Sequence, residues 1–293
     1  MSLAQPPIEE MISPPAYERL ARRGLLTGVS LGAGYTLAAG PVMAQTIVTT
    51  PADGLVAGDV MIPAGDVAMP GYRARPATGS NWPTIIVCQE IFGLHEYIKD
   101  VTRRLAKEGF LAVAPDYYVR QGDAARAADV GGAAAIANRK PDAELFRDLD
   151  ATAAWAAADG GDANRLSITG YCRGGRNVWA YAAQNPRLKA GVAWYGPVAG
   201  QPNDLTPRVP LDMAADVKCP ILGLYGEADT GIPVDGLRRM EAAMRAANKP
   251  FDLVIYPEAP HGFHADYRPS YRPGPAADGW RRMLAFLRAN GAA

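Results

Sequence analysis

Short apolar runs alternate along the chain with segments in which apolar side chains recur every three or four residues. The runs have the length and composition of buried strands, and the segments have the spacing of amphipathic helices. This alternation predicts βαβ units, a mainly parallel sheet and helices on both of its faces. The predicted strands are 84–88, 110–114, 166–169, 190–194, 221–225 and 252–256, and the predicted helices are 96–107, 142–159, 237–248, 279–290 and one that follows 166–169 and ends near 185.

Three stretches depart from this rhythm. Between 55 and 75, alternating runs broken by glycine and proline predict an antiparallel hairpin or meander at the sheet edge. The stretch 120–141 is rich in alanine and glycine and predicts one short helix within a cap or loop, and 197–210 is a proline-bearing loop.

Residues 1–50 have the layout of a leader. Arg22 and Arg23 precede a weakly apolar run that ends at Gly40, and a small residue, Ala44, offers a cleavage point. This pattern predicts a twin-arginine export signal and a folded protein in the periplasm. The alternative is a disordered arm, or an amphipathic helix packed on the domain, of a cytoplasmic protein. Glycines interrupt the apolar run, which is short for a stable membrane span.

Composition narrows the classes of partner. After the leader, about 250 residues remain (51–293), a size typical of one α/β domain. The 30 basic and 30 acidic residues balance, and no basic stripe or acidic tail is present, which argues against nucleic acid and anionic membranes as partners. The sequence shows no cluster of histidine, cysteine and carboxylate at metal-ligand spacing, so neither a metal nor another cofactor is expected.

The three cysteines predict no disulfide. Cys88 ends one predicted strand and Cys219 precedes another, so in a parallel sheet they lie at opposite edges, about 15 Å apart for a five-residue strand. Both are expected to be small core residues.

The third cysteine lies in a glycine-rich turn between a predicted strand and a predicted helix. The segment 170–175 reads Gly-Tyr-Cys-Arg-Gly-Gly, which is the layout of a nucleophile elbow with Cys172 as the nucleophile. Gly170 and Gly174 would remove the Cβ atoms that collide where strand and helix converge. The helix N-terminus behind the turn favours a thiolate. The alternative is a buried structural cysteine beside a glycine-rich turn.

Reactive side chains follow four predicted strands at their carboxyl ends. They are Glu90, Cys172, Asp229 and His261. Because ligands of open parallel sheets bind beyond this edge, the four are expected to converge. The order of cysteine, aspartate and histidine is that of an α/β-hydrolase triad, with His261 as base and Asp229 as the residue that orients it.

Other residues compete for these roles. His264 is the alternative base, whereas His95 begins a predicted helix, where a capping or surface role is favoured. Glu227 is the competing carboxylate and is expected to face solvent.

Five motifs together resemble the dienelactone hydrolase (carboxymethylenebutenolidase) family. The resemblance covers roughly residues 55–290 and implies an α/β-hydrolase fold whose Cys-His-Asp triad opens enol lactones and some esters. The motifs are Gln-Glu-Ile-Phe-Gly at 89–93, Pro-Asp-Tyr-Tyr-Val-Arg-Gln at 115–121, the 170–175 segment, the 226–233 loop and His-Gly-Phe at 261–263.

The resemblance implies roles for further residues. Glu90 would contact the resting thiol and help to form the thiolate when substrate binds, although it could instead cap the following helix. The N–H groups of Ile91 and Arg173 would form an oxyanion hole. Arg120 would bind a substrate carboxylate. A second family arginine is replaced here by Ala265.

Three questions about the substrate pocket stay open in the sequence. Arg268 or Arg272 could stand in for the arginine missing at Ala265. The side chain of Arg173 lines the pocket or points to solvent. Aromatic residues near the site form an apolar wall or belong to the core; they are Tyr118, Trp194 and Tyr195.

The sequence therefore predicts a hydrolase of lactones or small carboxylic esters that acts through a cysteine thioester, with a small-molecule substrate that could carry a carboxylate. One alternative is a non-catalytic exported binding protein on the same fold. Another is an acyltransferase or peptidase that uses the same triad. The sequence makes no prediction of oligomeric state.

Overall fold

A central eight-stranded sheet organises the part of the chain, residues 48–293, that the computed structural model describes. The predicted export signal lies outside these residues. The strand order is β1-β2-β4-β3-β5-β6-β7-β8, and β3 to β8 run parallel to one another. The strands are β1 (Leu55–Pro63), β2 (Ala68–Pro76), β3 (Trp82–Cys88), β4 (Leu111–Pro115), β5 (Gly161–Tyr171), β6 (Leu188–Trp194), β7 (Ile221–Gly226) and β8 (Phe251–Tyr256).

Helices connect the parallel strands and pack against the sheet, so the predicted α/β architecture is confirmed. The predicted hairpin is also confirmed, because β1 pairs with β2 and β2 with β4 in antiparallel fashion at one edge. The α-helices described are α1 (Glu96–Lys107), α2 (Val130–Asn138), α3 (Asp142–Ala158), α4 (Arg173–Gln184), α5 (Val234–Ala246) and α6 (Pro273–Ala289), with short 3₁₀ helices at Ala124–Arg126 and Pro210–Asp216.

Several predicted boundaries were wrong at the polar ends of elements. β5 begins five residues before the predicted 166, because its first part is half-exposed and polar and carries no apolar run. α6 begins at Pro273, six residues before the predicted start, since proline fits the first turn of a helix. The 3₁₀ helix Pro210–Asp216 begins at the last residue of the segment 197–210, which the sequence indicated only as a loop.

The described residues contain no helix that is both long and apolar enough to cross a membrane. Cys88 and Cys219 are buried and free, and Cys172 is also free. Burial raises the pKa of the Cys219 thiol to about 12, so this sulfur is an inert core group.

A buried carboxylate ties the first described residues to the domain. Asp100 on α1 accepts hydrogen bonds from the Thr50 N–H at 2.6 Å, from Arg104 Nε at 2.6 Å and from Arg103 Nη2 at 3.0 Å. Its side chain is fully buried, while the two arginines are largely so. The carboxylate therefore balances two cations that have little access to water.

Replacing Asp100 by alanine is expected to lower the free energy of unfolding by about 3 kcal/mol, because two buried guanidinium groups lose a charged acceptor. Asp59→Ala is the matched control. Asp59 pairs with Lys99, which is on the same helix as Asp100, but the Asp59 side chain is 75% exposed. Its removal should therefore lower the free energy of unfolding by less than about 1 kcal/mol. Urea denaturation of both variants at pH 7 measures the difference, and equal effects would contradict the prediction.

Candidate active site

Cys172 lies in a strained turn between β5 and α4. Its φ of +56° and ψ of −121° are unusual for a residue with a side chain, and strain of this kind is common at functional sites. The two flanking glycines are required by contact: a Cβ on Gly170 would lie 2.3 Å from Gly174 O, and one on Gly174 would lie 2.2 Å from Cys88 O. The predicted elbow geometry is confirmed.

The imidazole of His261 lies between a carboxylate and the Cys172 sulfur. Its Nδ1 is 2.7 Å from Asp229 Oδ2, and the Cys172 sulfur is among the groups that raise the pKa of the ring. The N–H of Gly231 donates to Asp229 Oδ1 at 2.9 Å and so fixes the carboxylate. Each of the three triad residues is 3% exposed or less.

The charges on either side of His261 favour its protonated form. Burial alone would lower the pKa of His261, but the Cys172 sulfur and the Asp229 carboxylate outweigh it and raise the pKa to about 10. The structure thus brings three predicted residues together in an arrangement that can hold a thiolate beside an imidazolium.

The competing residues lie elsewhere. His264 packs against Trp194 and shares a 2.7 Å hydrogen bond through Nδ1 with the Tyr97 hydroxyl. Burial and the nearby Arg104 lower the pKa of His264 to about 3, so it is a neutral core residue. Glu227 is exposed, as predicted.

The sequence missed the part that His95 plays. It occupies the N-cap position of α1, as expected, but its side chain makes no capping bond and is only 8% exposed. Its Nε2 instead lies 3.3 Å from Glu90 Oε2. The sequence signal that could have indicated this contact is that His95 follows Glu90 by five residues, across a glycine turn.

Glu90 is fully buried and contacts three groups. Tyr267 donates its hydroxyl to Oε2 at 2.7 Å, and Arg268 Nη2 lies 3.4 Å from Oε1, while His95 is the third group. Burial alone would raise the pKa of Glu90, but Arg268 and the hydrogen bonds from His95 and Tyr267 lower it to about 2. Glu90 is therefore ionised, and none of the hydrogen bonds described for residues 48–293 joins it to the thiol of Cys172, the contact that the resemblance implied.

The two backbone groups expected to form the oxyanion hole lie at the ends of adjoining elements. Ile91 directly follows Glu90 in the loop after β3, and Arg173 is the first residue of α4. An N–H at the first helical position has no carbonyl one turn back to which it can donate. The side chain of Arg173 reaches Asn138 at the end of α2, with Nη1 3.3 Å from the amide oxygen.

The aromatic residues named as candidate pocket walls are buried. Tyr195 stacks edge-on against His261, with ring centroids 5.1 Å apart, and adopts a positive φ of 37°. Tyr195 therefore adjoins His261. Burial raises the pKa of both Tyr118 and Tyr195, so both side chains are neutral.

The structure corrects the expectation that Arg120 presents a free guanidinium to substrate. Arg120 donates from Nε to Asp66 at 3.1 Å, from Nη1 to both oxygens of Asp148, and from Nη2 to Ala64 O at 2.8 Å. Two carboxylates of the protein and a carbonyl thus occupy all of its nitrogens. The Arg120 side chain therefore joins the β1–β2 turn to α3 and has a structural role.

Arg268 is the arginine that the structure places beside the site. Its guanidinium is 4.7 Å from the centre of the Phe92 ring, and its Nε donates to the Tyr267 hydroxyl at 2.9 Å. Arg272 instead donates to the carbonyl oxygens of Pro269 and Tyr271 near the surface. Of the two candidates for the position vacated at Ala265, only Arg268 therefore contacts a site residue.

No group of three histidine, cysteine or carboxylate side chains within residues 48–293 could hold a metal ion. A cavity of about 550 Å³ lies between α3, α4 and the segment 204–218, and none of Cys172, Asp229 and His261 lines it.

Comparison with known proteins identifies relatives along nearly the whole described chain. The profile of the dienelactone hydrolase family matches residues 69–291. A protein of Methylorubrum extorquens, named "Putative carboxymethylenebutenolidase", is 53% identical over 280 residues, which cover 95% of this chain and 96% of the relative. A protein of the same name from Escherichia coli is 48% identical over 260 residues and covers 88% of this chain and 96% of its own length.

A solved structure agrees with these sequence matches. The structure described as a putative dienelactone hydrolase from Klebsiella pneumoniae superimposes with a TM-score of 0.79 at 50% identity, over 80% of this chain and 99% of its own. Acylaminoacyl peptidase of Pyrococcus horikoshii superimposes with a TM-score of 0.66 at 18% identity and shares the fold alone.

Proposed function

Because the chain belongs to the dienelactone hydrolase family and is a hydrolase, we propose that it cleaves lactones or small carboxylic esters through a thioester formed on Cys172. One observation carries the proposal: Cys172 lies on a strained elbow, and His261, whose pKa is raised by the Cys172 sulfur, is held by Asp229 at 2.7 Å. This is the arrangement of a nucleophile, a base and a group that orients the base.

The first half of the reaction forms the acyl-enzyme. With the thiol proton on His261, the Cys172 sulfur attacks the substrate carbonyl carbon, and the carbonyl electron pair moves onto oxygen. The N–H groups of Ile91 and Arg173 would donate to this oxyanion. When the oxyanion collapses, the bond to the ring or ester oxygen breaks, and His261 gives its proton to that oxygen, which leaves Cys172 acylated.

The second half releases the acid. His261, now neutral, takes a proton from water, and the hydroxide attacks the thioester carbonyl carbon. Collapse of the second oxyanion expels the sulfur as thiolate, beside the protonated imidazole. Throughout both halves Asp229 accepts the Nδ1–H and keeps Nε2 directed at the sulfur and the water.

A carboxylate on the substrate would be recognised by Arg268 rather than by Arg120. The Arg120 guanidinium is saturated by protein groups, whereas Arg268 is buried beside Glu90 and Phe92. An arginine next to an existing carboxylate can serve a second one only by sharing its N–H donors. Preference for anionic substrates is therefore expected to be modest.

We also propose that the leader exports the folded enzyme.

The acyl-enzyme is the species that tests the proposed function. Mixing the protein with p-nitrophenyl acetate is expected to release about one equivalent of p-nitrophenol in a burst, followed by slower turnover. Acid quenching and peptide mass analysis should find the acetyl group on the peptide that contains Cys172. An acetyl group on any other residue, or turnover with no adduct at all, would contradict the thioester route.

Product analysis separates the reaction classes. Free acid as the main product, with an alcohol or amine present as a competing acceptor, indicates hydrolysis, whereas transfer to the acceptor indicates an acyltransferase. A panel of five-membered enol lactones and esters, each as a neutral and a carboxylate-bearing compound of equal size, then ranks the substrate classes.

A further inference from the structure

Residues 122–138, which we call the bridging segment, contact two elements of the proposed site. The segment contains the 3₁₀ helix Ala124–Arg126 and α2. The function proposed above requires the N–H groups of Ile91, in the loop after β3, and of Arg173, at the start of α4, to converge on one oxygen. The bridging segment touches both of these elements, and no role has yet been given to it.

One end of the bridging segment packs on the loop that carries Ile91. Gly93 has a φ of +70° and lies so close to the 3₁₀ helix that a Cβ on it would be 3.1 Å from Ala125 N and 3.2 Å from Ala124 Cβ. Ala124 is itself buried. The 3₁₀ helix therefore supports the loop two residues after Ile91.

The other end of the bridging segment contacts the first residue of α4. Asn138 ends α2, and its side-chain oxygen accepts a hydrogen bond from Arg173 Nη1 at 3.3 Å. Between the two contacts, Asp123 accepts hydrogen bonds from two N–H groups of the 3₁₀ helix, and Asp129 caps α2 by accepting from the Gly132 N–H at 2.7 Å. The segment is therefore an ordered connection between the loop after β3 and α4.

Two carboxylates on α3 tie the ends of the bridging segment together. Asp148 accepts hydrogen bonds from Arg120 Nη1 at 2.9 and 3.0 Å, and from Lys140 Nζ. One turn earlier, Glu144 accepts from Gln121 Nε2 at 2.9 Å and from the same lysine. Since positions 120 and 121 precede the segment and position 140 follows it, each carboxylate contacts both ends. We call Asp148 and Glu144 the staple.

The staple depends on charges that have little access to water. The side chain of Asp148 is 1% exposed and that of Lys140 is 3% exposed, so salt screens this pair only weakly. Arg139 adds to the closure by donating to the carbonyl oxygen of Gln121. Without the charge on Asp148, the cations of Lys140 and Arg120 would keep weaker acceptors, which favours opening at the base of the segment.

From these contacts we propose that the bridging segment is a brace across the proposed oxyanion hole, and that the staple holds this brace in place. Asp148 and Glu144 are positioning residues in this account, because they act through the segment on the loop after β3 and on α4. The inference deepens the proposed function and rests on it for the roles of Ile91 and Arg173. A change on α3 should therefore alter the rate of acylation.

Amide hydrogen exchange of the full chain, followed by mass spectrometry, tests the brace without substrate. Asp148→Asn keeps the shape of the side chain but turns one oxygen into an NH₂ group that faces other donors. Exchange is expected to become about tenfold faster in the bridging segment and in residues 89–93. Asp150→Asn is the matched control. It removes an exposed carboxylate on the same helix, which accepts from Tyr181 and Asn185, and should leave both regions unchanged.

Burst kinetics test the consequence for the reaction. Removal of one oxyanion donor lowers kcat by about 10²- to 10³-fold, and a displaced donor should have a smaller effect. Asp148→Asn is therefore expected to lower the burst rate and kcat about tenfold, with KM within about twofold of the wild type. A variant that only loses stability would lower the burst amplitude, which counts active sites, and not the burst rate. Asp150→Asn should change neither.

Four results would overturn the brace. They are unchanged exchange in the bridging segment, faster exchange there without a change in residues 89–93, an unchanged burst rate, and a raised KM at unchanged kcat. The last would mean that the segment contacts the substrate and does not act through the oxyanion hole.

Two further outcomes are covered by the same measurements. If Asp148→Asn does not fold, Glu144→Gln replaces it, since Glu144 is partly exposed; the same pattern is expected at about threefold, and the same four results would overturn the brace. If the wild type forms no adduct on Cys172, the proposed function is rejected. Exchange in residues 89–93 then decides the brace alone, because that measurement uses no ester.

Discussion

Replacing Cys172 by alanine is expected to reduce kcat/KM for esters and lactones by about 10⁵-fold, because no other nucleophile in the site can form the acyl-enzyme. The alanine side chain ends at Cβ, so the elbow, the Asp229–His261 pair and the helix N-terminus stay in place. The residual rate would come from water attacking a substrate that is bound but not acylated. Initial rates with p-nitrophenyl acetate and with a lactone, on protein of unchanged circular dichroism, measure the loss.

Two further variants make the Cys172 result specific. Cys219→Ala removes a sulfur that is also buried but lies two residues before β7, and it should change the rate less than about twofold. Cys172→Ser should retain part of the activity, since a hydroxyl is less acidic than a thiol and depends more on the base. If the activity of Cys172→Ala were within tenfold of the wild-type activity, Cys172 would not be the nucleophile.

The fold was predictable where burial leaves a periodic pattern. The helix over 96–107 was predicted with the bounds that the structure gives, because its apolar and charged faces separate sharply. The first part of β5 was missed because Asp162, Asn164 and Arg165 give it the composition of a loop. Asp162 pairs with Pro83 at the start of β3, whereas 164 and 165 lie where the register shifts, and pairing with a distant strand leaves no local mark in the sequence.

The core of the site was predictable for a topological reason. Parallel strands bring their carboxyl ends to one edge, so residues that follow β5, β7 and β8 meet there even though 57 positions separate Cys172 from Asp229. The partners of Arg120 could not be predicted in this way, because Asp66 is in a turn and Asp148 is on a helix, and no periodicity relates either to Arg120.

The contacts of Glu90 with Tyr267 and Arg268 escaped prediction for a related reason. The loop from 262 to 271 follows His261 with no strand or helix pattern, so its path, and with it the positions of Tyr267 and Arg268, is decided by packing. Sequence reasoning could name Arg268 as a candidate, but the structure was needed to show that it faces a carboxylate of the protein.

Replacing Asp229 by asparagine is expected to lower kcat by about 10⁴-fold while leaving the loop intact. The amide oxygen of asparagine can still accept from the Gly231 N–H, which now donates to Oδ1 at 2.9 Å. The amide NH₂ would face His261 Nδ1 in place of Oδ2 and favour the tautomer with the proton on Nε2. An imidazole that carries its proton on Nε2 cannot accept one from Cys172, so the nucleophile loses its base.

The pH profile of Asp229→Asn gives a second, independent reading. Asp229 is one of the charges that raise the pKa of His261 to about 10, because its carboxylate favours the imidazolium. Without it the pKa of His261 falls, so the alkaline limb of the residual activity should move to lower pH. Glu227→Gln is the matched control: it removes an exposed carboxylate two residues away and should alter neither the rate nor the profile. A variant at 229 with a normal rate, or an alkaline limb that stays in place, would mean that Asp229 neither orients nor charges the imidazole.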